Sequence, residues 1–400
     1  MPTLPTVRVP PAAIIGSASF LLLGWASLLV PSLIRSIERD FGQSDAGLGI
    51  FYFVYALTYA AGSLGGGALT ERLGRRRILA VSAVIMGVGL GAIGVVPAWA
   101  MVMLAALPAG LGSGAIDGGV NGLFLDLFPN TRGRSLNGLH LFFGIGALLS
   151  PLVVGGLVDA GVAWQALIVG TALVAVLFGG LIANTKMPDG RHDPGVVSRL
   201  DGRGRFALQW PLVVLGIAIA AYVASEVGVS DWLVRFLAAA PLSVATGSLS
   251  LYWAGLALGR LVSARYGDRF DHNRFATYAV AFASVALIGA VLVPSLPVSV
   301  ALFGLVGFAS GPVFPMIVAV GGERFPDRSA AVGGFLTGVA VVGATIYPPV
   351  MGFLSVEVGL GWAMLGTAVL GLAAATALVL APKPSIGGEA QARIEAITGR

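Results

Sequence analysis

Apolar runs of about twenty residues recur along the whole chain, each long enough to cross a hydrocarbon core at roughly 1.5 Å per helical residue. They lie near 12–34, 46–70, 77–97, 99–128, 133–158 and 163–185, and again near 208–236, 244–267, 274–293, 297–322, 329–354 and 361–381. Pro97, Pro129, Pro294 and Pro326 fall in the interruptions and mark helix boundaries. Charged residues make up 11% of the chain and apolar ones 56%, against about 25% charge in soluble domains. A soluble fold of this length would lack polar surface. The 58 glycines suit close backbone approach between helices in lipid. The expected fold is all-α and integral to the membrane, with twelve spans.

Several function classes drop out at once. There is no cysteine, so disulfides, thiolate metal sites and thiol catalysis are excluded. No H-E-x-x-H motif or Walker loop is present, so no enzyme, metal or cofactor is expected. The net charge of +5 does not indicate nucleic acid, because the arginines fall in short loops between apolar runs. Arg72, Arg75, Arg76, Arg77, Arg132, Arg134, the stretch from Lys186 to Arg205, Arg265, Arg269, Arg274, Arg324 and Arg328 share one side. Arg35, Arg39 and Arg235 fall on the other. By the positive-inside rule both termini are expected in the cytoplasm, in the plasma (inner) membrane of a prokaryote. Arg8 precedes the run from Ala12 to Ile34 with no A-x-A-like site after it, so that run reads as the first span. The expected organisation is a six-helix bundle over 1–186, a linker over 187–207, a second bundle over 208–382 and a tail over 383–400.

The chain also repeats itself. Self-alignment pairs Gly66 with Gly259, Arg72 with Arg265, Gly74 with Gly267, Arg76 with Arg269, Gly114 with Gly307 and Gly118 with Gly311. Further on, Phe128-Pro129-Asn130 pairs with Phe325-Pro326-Asp327, Pro151 with Pro348 and Gly155 with Gly352. Ordered matches across four spans predict two parallel halves, with a solute site near the midplane at their interface.

Between spans two and three stands Gly67-Ala-Leu-Thr-Glu71-Arg72-Leu-Gly74-Arg75-Arg76. A Gly-rich helix end lets two spans touch, while the acid and the arginines can bridge neighbouring helices. The segment resembles the signature loop of the major facilitator superfamily, with Glu71 where that motif usually has Asp. A degenerate copy, Arg265-Tyr-Gly267-Asp268-Arg269, stands at the same place in the second half. Gly67, Glu71, Arg72, Gly74, Arg75 and Arg76 are therefore expected to act in gating rather than in solute recognition.

Ionisable residues at membrane depth are functional candidates by default. Span four carries Asp117 and Asn121, four apart on one helix face, and span five carries Asn137 and His140, three apart. Rise per residue puts Asn121 and His140 at similar depth; if the two faces meet, they form one cluster of carboxyl, amide and imidazole. In the repeat these positions fall opposite Ser310, Phe314, Gly334 and Thr337: the scaffold is kept and the polar groups are not. In span seven, Glu226 is a site residue or a rim residue paired with Arg235. In span eight, Arg260 is a site residue or snorkels to the membrane surface. Tyr252 and Trp253 are candidate solute contacts, and Trp25, Phe142 and Tyr347 are either stacking surfaces or packing.

Asp117-x-Gly119-x-Asn121, Leu136-Asn137-x-x-His140-x-Phe142, the Glu226-centred span seven and Trp253-x-x-Leu-x-Leu-Gly259-Arg260 resemble the fucose–proton symporter branch, which includes sodium–glucose transporter-like members. The resemblance implies sugar transport, with Asp117 as the coupling acid and Asn137 near the sugar. It departs in span one, where the segment from Gly24 to Pro31 has no acid. The expected function is transport of a small polar solute by alternating access. Asp117 carries a coupling proton rather than sodium, and Asn121, Asn137, His140, Glu226, Tyr252 and Trp253 bind the solute. Proton-coupled efflux of amphipathic compounds is the alternative. The expected partners are the solute and the lipid bilayer, with the protein a monomer.

Overall fold

The computed structural model describes residues 10–129, 131–189, 209–326 and 329–381, without the side chains at 67, 68, 71, 132, 133, 268 and 329–331. Most of the expected linker and the tail lie outside the described residues. Helices follow one another with short turns: α1 (Pro11–Phe41), α2 (Asp45–Leu73), α3 (Arg75–Val95), α4 (Trp99–Leu127), α5 (Arg132–Asp159), α6 (Trp164–Asn184), α7 (Trp210–Phe236), α8 (Leu242–Tyr266), α9 (His272–Leu292), α10 (Leu296–Ser310), α11 (Val313–Arg324), α12 (Ser329–Val358) and α13 (Leu360–Leu380). Helices α10 and α11 form one span interrupted at Gly311-Pro312, where proline cannot donate to the helix ladder. Twelve spans long and apolar enough to cross a membrane result. The protein is an integral membrane protein.

Local chemistry sets the helix ends. Gly42, at φ 59°, closes α1 in the left-handed region, and the Ser44 side chain caps α2 by accepting from the Gly47 N–H. The first helix outruns its apolar segment: α1 continues past Ile34 through Arg35, Glu38 and Arg39. Arg35 and Glu38 find partners at the helix end, as described below. Gly74, at φ 86° and ψ 141°, makes the sharp joint between α2 and α3.

The two halves repeat each other's packing. In the first half α1 lies on α5, α2 on α4 and α3 on α6; in the second α7 lies on α12, α8 on α10 and α9 on α13. The glycines that the repeat aligned hold the same contacts. A Cβ on Gly62, Gly114 or Gly118 would overlap backbone across the α2–α4 seam, and one on Gly255, Gly259, Gly307 or Gly311 would do so across the α8–α10 seam. Small residues at four-residue spacing let these backbones meet.

Three cross-pairs, α2 with α12, α5 with α8 and, less extensively, α1 with α7, join the halves. The end of the bundle that carries the α2–α3 joint and both described chain ends is called here the terminal face, and the other the far face. One buried core runs through the first half and into the far-face part of the second, taking in Trp232, Leu249, Tyr252, Phe303 and Met351. The terminal-face part of the second half has its own separate core, around Leu215, Ile219, Ile317, Leu336 and Leu378. The halves thus merge at the far face and part toward the terminal face.

Candidate solute site and far-face closure

The hydrogen bonds agree with that division. Among the described residues, the side-chain bonds between halves are Arg35 to the Ala240 carbonyl at 2.9 Å, Tyr52 to the Asp231 carbonyl at 3.1 Å, the Ser243 N–H to Asp159 at 3.1 Å, Ser250 to the Leu148 carbonyl at 2.8 Å, and Ser355 to Asp45. Arg235 reaches both Glu38 and Asp45 at 2.9 Å. All lie at the far face or midway down. Below Ser250, toward the terminal face, the Phe143 and Trp253 rings meet at 5.8 Å. Beyond this contact the cores of the two halves are separate, and from that separation we infer a cleft between the halves that these rings roof on the terminal-face side.

Beneath that roof, on the second half, Glu226 of α7 is the centre of a network. The Tyr222 hydroxyl donates to its carboxylate and lies 2.8 Å from the Ser310 carbonyl. Arg260 Nη2 of α8 stands 3.8 Å from Glu226 Oε1. Of the two readings of Glu226, the pairing with Arg235 is therefore set aside, because Arg235 is engaged by Glu38 and Asp45. Arg260 turns inward rather than snorkelling, and its guanidinium lies close enough to the His140 ring to act on its charge.

His140 of α5 is exposed yet packs edge-on against the buried Phe20 of α1, with ring centres 5.2 Å apart. A neighbouring α1 ring and an α8 arginine place its open surface in the cleft. Asn137, one turn nearer the terminal face, is exposed as well. Asp117 and Asn121 share a face of α4 as expected, with Asn121 Nδ2 donating to Asp117 Oδ1 at 2.9 Å and to its carbonyl at 3.0 Å. Across the seam, Tyr59 of α2 is a neighbour of Asp117.

The single cluster expected from helix depth is corrected to two patches. Helices α4 and α5 touch chiefly near their turn, then part as α5 packs on α1 and α8 while α4 packs on α2 and α3. Asp117 and Asn121 therefore meet Tyr59, whereas His140 meets Phe20 and Arg260. Tyr252 is likewise corrected: it is fully buried, and its hydroxyl donates to the Glu226 carbonyl at 3.3 Å, so it braces α7 behind the cleft. Trp253 donates its indole N–H to Ser230 at 3.0 Å, which leaves only its ring face toward the cleft. Trp25 and Tyr347 bond within their own halves, to Thr171 and to the Ala363 carbonyl. Phe142 remains exposed.

Sequence reasoning passed over Tyr59 and Tyr222. The signal for Tyr59 was its spacing with Tyr52 and Tyr55, which repeats on one face of α2. For Tyr222 it was a tyrosine one turn from an intramembrane acid.

In the loop motif, Arg75 is 4% exposed and Arg75 Nη2 binds Asp126 Oδ2 at the end of α4 at 2.7 Å. Its backbone N–H also donates to the Asp189 carbonyl at 2.9 Å. Gly74 is buried beside it, and Arg72 and Arg76 are exposed. Gly67 and Glu71 lie within α2, and their side chains lie outside the described residues.

Comparison with known proteins agrees with this architecture. The model of the Major Facilitator Superfamily matches residues 14–212 and again 205–396, once for each half. The chain is similar to the uncharacterized MFS-type transporter YfkL of Bacillus subtilis (strain 168), at 23% identity over 93% of this chain and 96% of that protein. It is 26% identical to the gentisate transporter of Corynebacterium glutamicum, over 92% of this chain and 87% of that one. It is 25% identical to the glucose/galactose transporter of Brucella abortus biovar 1, over 84% and 85%. Among solved structures, a bacterial homologue of the human lysosomal transporter Spinster superposes with a TM-score of 0.78 at 16% identity, covering 92% of this chain and 96% of that chain. Twelve spans in two repeated halves, a glycine-arginine joint after the second span and a family match over both halves make this chain a transporter of the major facilitator superfamily.

Proposed function

We propose that the protein moves a small polar solute, a sugar foremost, by proton-coupled symport, with the halves rocking about the cleft beneath Phe143 and Trp253. The carrying observation is that two kinds of polar chemistry stand at membrane depth in two patches, one within the first half and one between the halves. One patch, Asp117 with Tyr59 and Asn121, is a carboxyl held by neutral groups and no cation. The other, Glu226, Arg260, His140 and Asn137, supplies donors and acceptors under an aromatic roof, which suits a hydroxylated ring. A carboxyl in that position can take a proton with the solute and release it when access changes sides. The arginine distribution supports a cytoplasmic terminal face in a prokaryotic plasma membrane. In that orientation the structure is open to the cytoplasm and closed outside.

A second reading is favoured by one observation. Arg260 faces His140 across the cleft with its ion pair to Glu226 stretched to 3.8 Å, an arrangement that also suits a carboxylate solute. One assay separates the readings. Reconstituted protein is offered glucose, galactose, an aromatic carboxylate and a lipophilic cation, with and without an inward proton gradient. Gradient-driven accumulation of a sugar, lost in Asp117→Asn while downhill exchange continues, supports the first reading. Accumulation unchanged in Asp117→Asn removes that residue from coupling. Transport of the carboxylate alone favours the second reading, and transport of the cation alone favours efflux.

A further inference from the structure

We propose that Asp231 is a second proton-binding site, one that ties closure of the far face to protonation. Asp231 lies on α7 five residues before its end, half-buried, where Tyr52 of α2 reaches across from the first half. Tyr52 donates to its backbone carbonyl at 3.1 Å, and the Tyr52 ring stands edge-on to Trp232 at 5.9 Å. The Tyr52 and Tyr55 hydroxyls, both on α2, are the titratable groups on which Asp231 acts.

Its carboxylate has no hydrogen-bond or ion-pair partner among the described residues, and every nearby cation is engaged elsewhere. On α7 itself, Arg235 serves Glu38 and Asp45. From α1, Arg35 serves the Ala240 carbonyl. From α8, Arg260 faces Glu226 and His140, and Tyr252 bonds to the Glu226 backbone. From α12, Tyr347 bonds to the Ala363 carbonyl and Glu357 lies near the helix end. From α11, Glu323 and Arg324 sit at the terminal face, and α13 carries no charged residue. No charged side chain acts on Asp231 from any of these helices.

A half-buried carboxylate with no cation or donor beside it is costlier ionised than as the neutral acid. Its surroundings are completed by Tyr52 of α2, which meets α7 through a hydrogen bond and a ring contact, a meeting of the halves that alternating access must break. The neutral acid therefore stabilises the closed far face, and the ionised form opposes it. By linkage, closure strengthens as pH falls and weakens as pH rises. The site is distinct from Asp117, which lies within the first half and is not separated from its partners when the halves rock.

The natural absence of cysteine provides the test. Cysteines introduced at Ala160 and Ala239, on far-face turns of opposite halves, carry spin labels on the full-length protein in nanodiscs, with no solute added. Their distance distribution is read from about pH 5 to 9, the closed-to-open ratio of wild type being expected to change by up to about tenfold per pH unit over part of that range. Asp231→Asn, a near-isostere of the neutral acid, is expected to stay closed throughout. Asp117→Asn is expected to keep the wild-type profile, which separates this inference from the coupling role proposed above. A flat wild-type profile overturns the proposal without any variant of Asp231. So does an Asp231→Asn profile as steep as wild type, or a dependence lost only in Asp117→Asn.

Discussion

Arg260 stands 3.8 Å from Glu226, at the long end of ion pairing, with the acid braced by Tyr222 and the guanidinium within electrostatic range of His140. A fork held this loosely keeps donors available to a solute, while Glu226 fixes its direction. Glu226→Gln preserves the side chain's shape and removes that charge. Solute affinity, read as solute-induced thermal stabilisation, is expected to fall about tenfold, equivalent to ~1.4 kcal/mol. An undiminished shift for every solute that stabilises the wild type places the pair outside the site.

Arg235 is the far-face counterpart, binding Glu38 of α1 and Asp45 of α2 from α7. All three side chains are a quarter exposed or less, to within a percent, so each pair is worth about 0.5–1 kcal/mol after screening. Arg235→Ala is therefore expected to lower the closed-to-open ratio at the far face by about five- to tenfold without lowering the melting temperature of either half. Accessibility of a single cysteine at Tyr52 to an aqueous thiol reagent reports the change. Labelling no faster than in the arginine-bearing protein rules out a latch.

Much of this arrangement was legible before any coordinates. Hydropathy gave the twelve spans, since a helix in lipid has to satisfy its backbone along its whole length. The repeat gave the two parallel halves, and several of the glycines that recur, Gly114 with Gly307 and Gly118 with Gly311 among them, lie where backbones meet. The Asp117–Asn121 bond was legible as well, being set by the helix itself. What stayed hidden was rotation. Most of these spans are apolar on all sides, so the pattern does not say which face turns inward, and Glu226 reads equally as a site residue or as a rim partner of Arg235. Tyr252 and Trp253 are adjacent, yet one braces a neighbouring backbone and the other roofs the cleft. The cluster expected of Asp117 and His140 failed for a related reason. Equal depth places two residues in one layer but not on facing sides.

Closure also requires the halves to approach at backbone distance. At the α2–α12 crossing, a Cβ on Gly352 would overlap the Asp45 carbonyl and lie 3.1 Å from the Gly49 Cα. These atoms belong to opposite halves, so the clash exists only when the far face is closed. Gly352→Val is accordingly expected to hold the far face open while each half stays folded. Between far-face spin labels, the longer distance should dominate at every pH. A closed population equal to wild type means that α2 and α12 have room to slide, and the close approach is then incidental.

At the opposite end, Arg75 is buried with one contact to a carboxylate, while its Nε and Nη1 have no partner among the described residues. A buried charge that loses its partner costs more than the pair contributes, because the remaining ion stays desolvated. Asp126 is 35% exposed, so solvent screens part of that penalty. Asp126→Ala is then expected to destabilise by about 2–3 kcal/mol, less than the full penalty for a wholly buried pair. The double replacement Arg75→Met with Asp126→Leu, which removes both charges, should melt closer to wild type than Asp126→Ala does. If it melts lower instead, the two effects add and Arg75 contributes through packing of its stem beneath Gly74. The pair would then be a consequence of the joint rather than its support, and gating would rest on the backbone geometry of Gly74 alone.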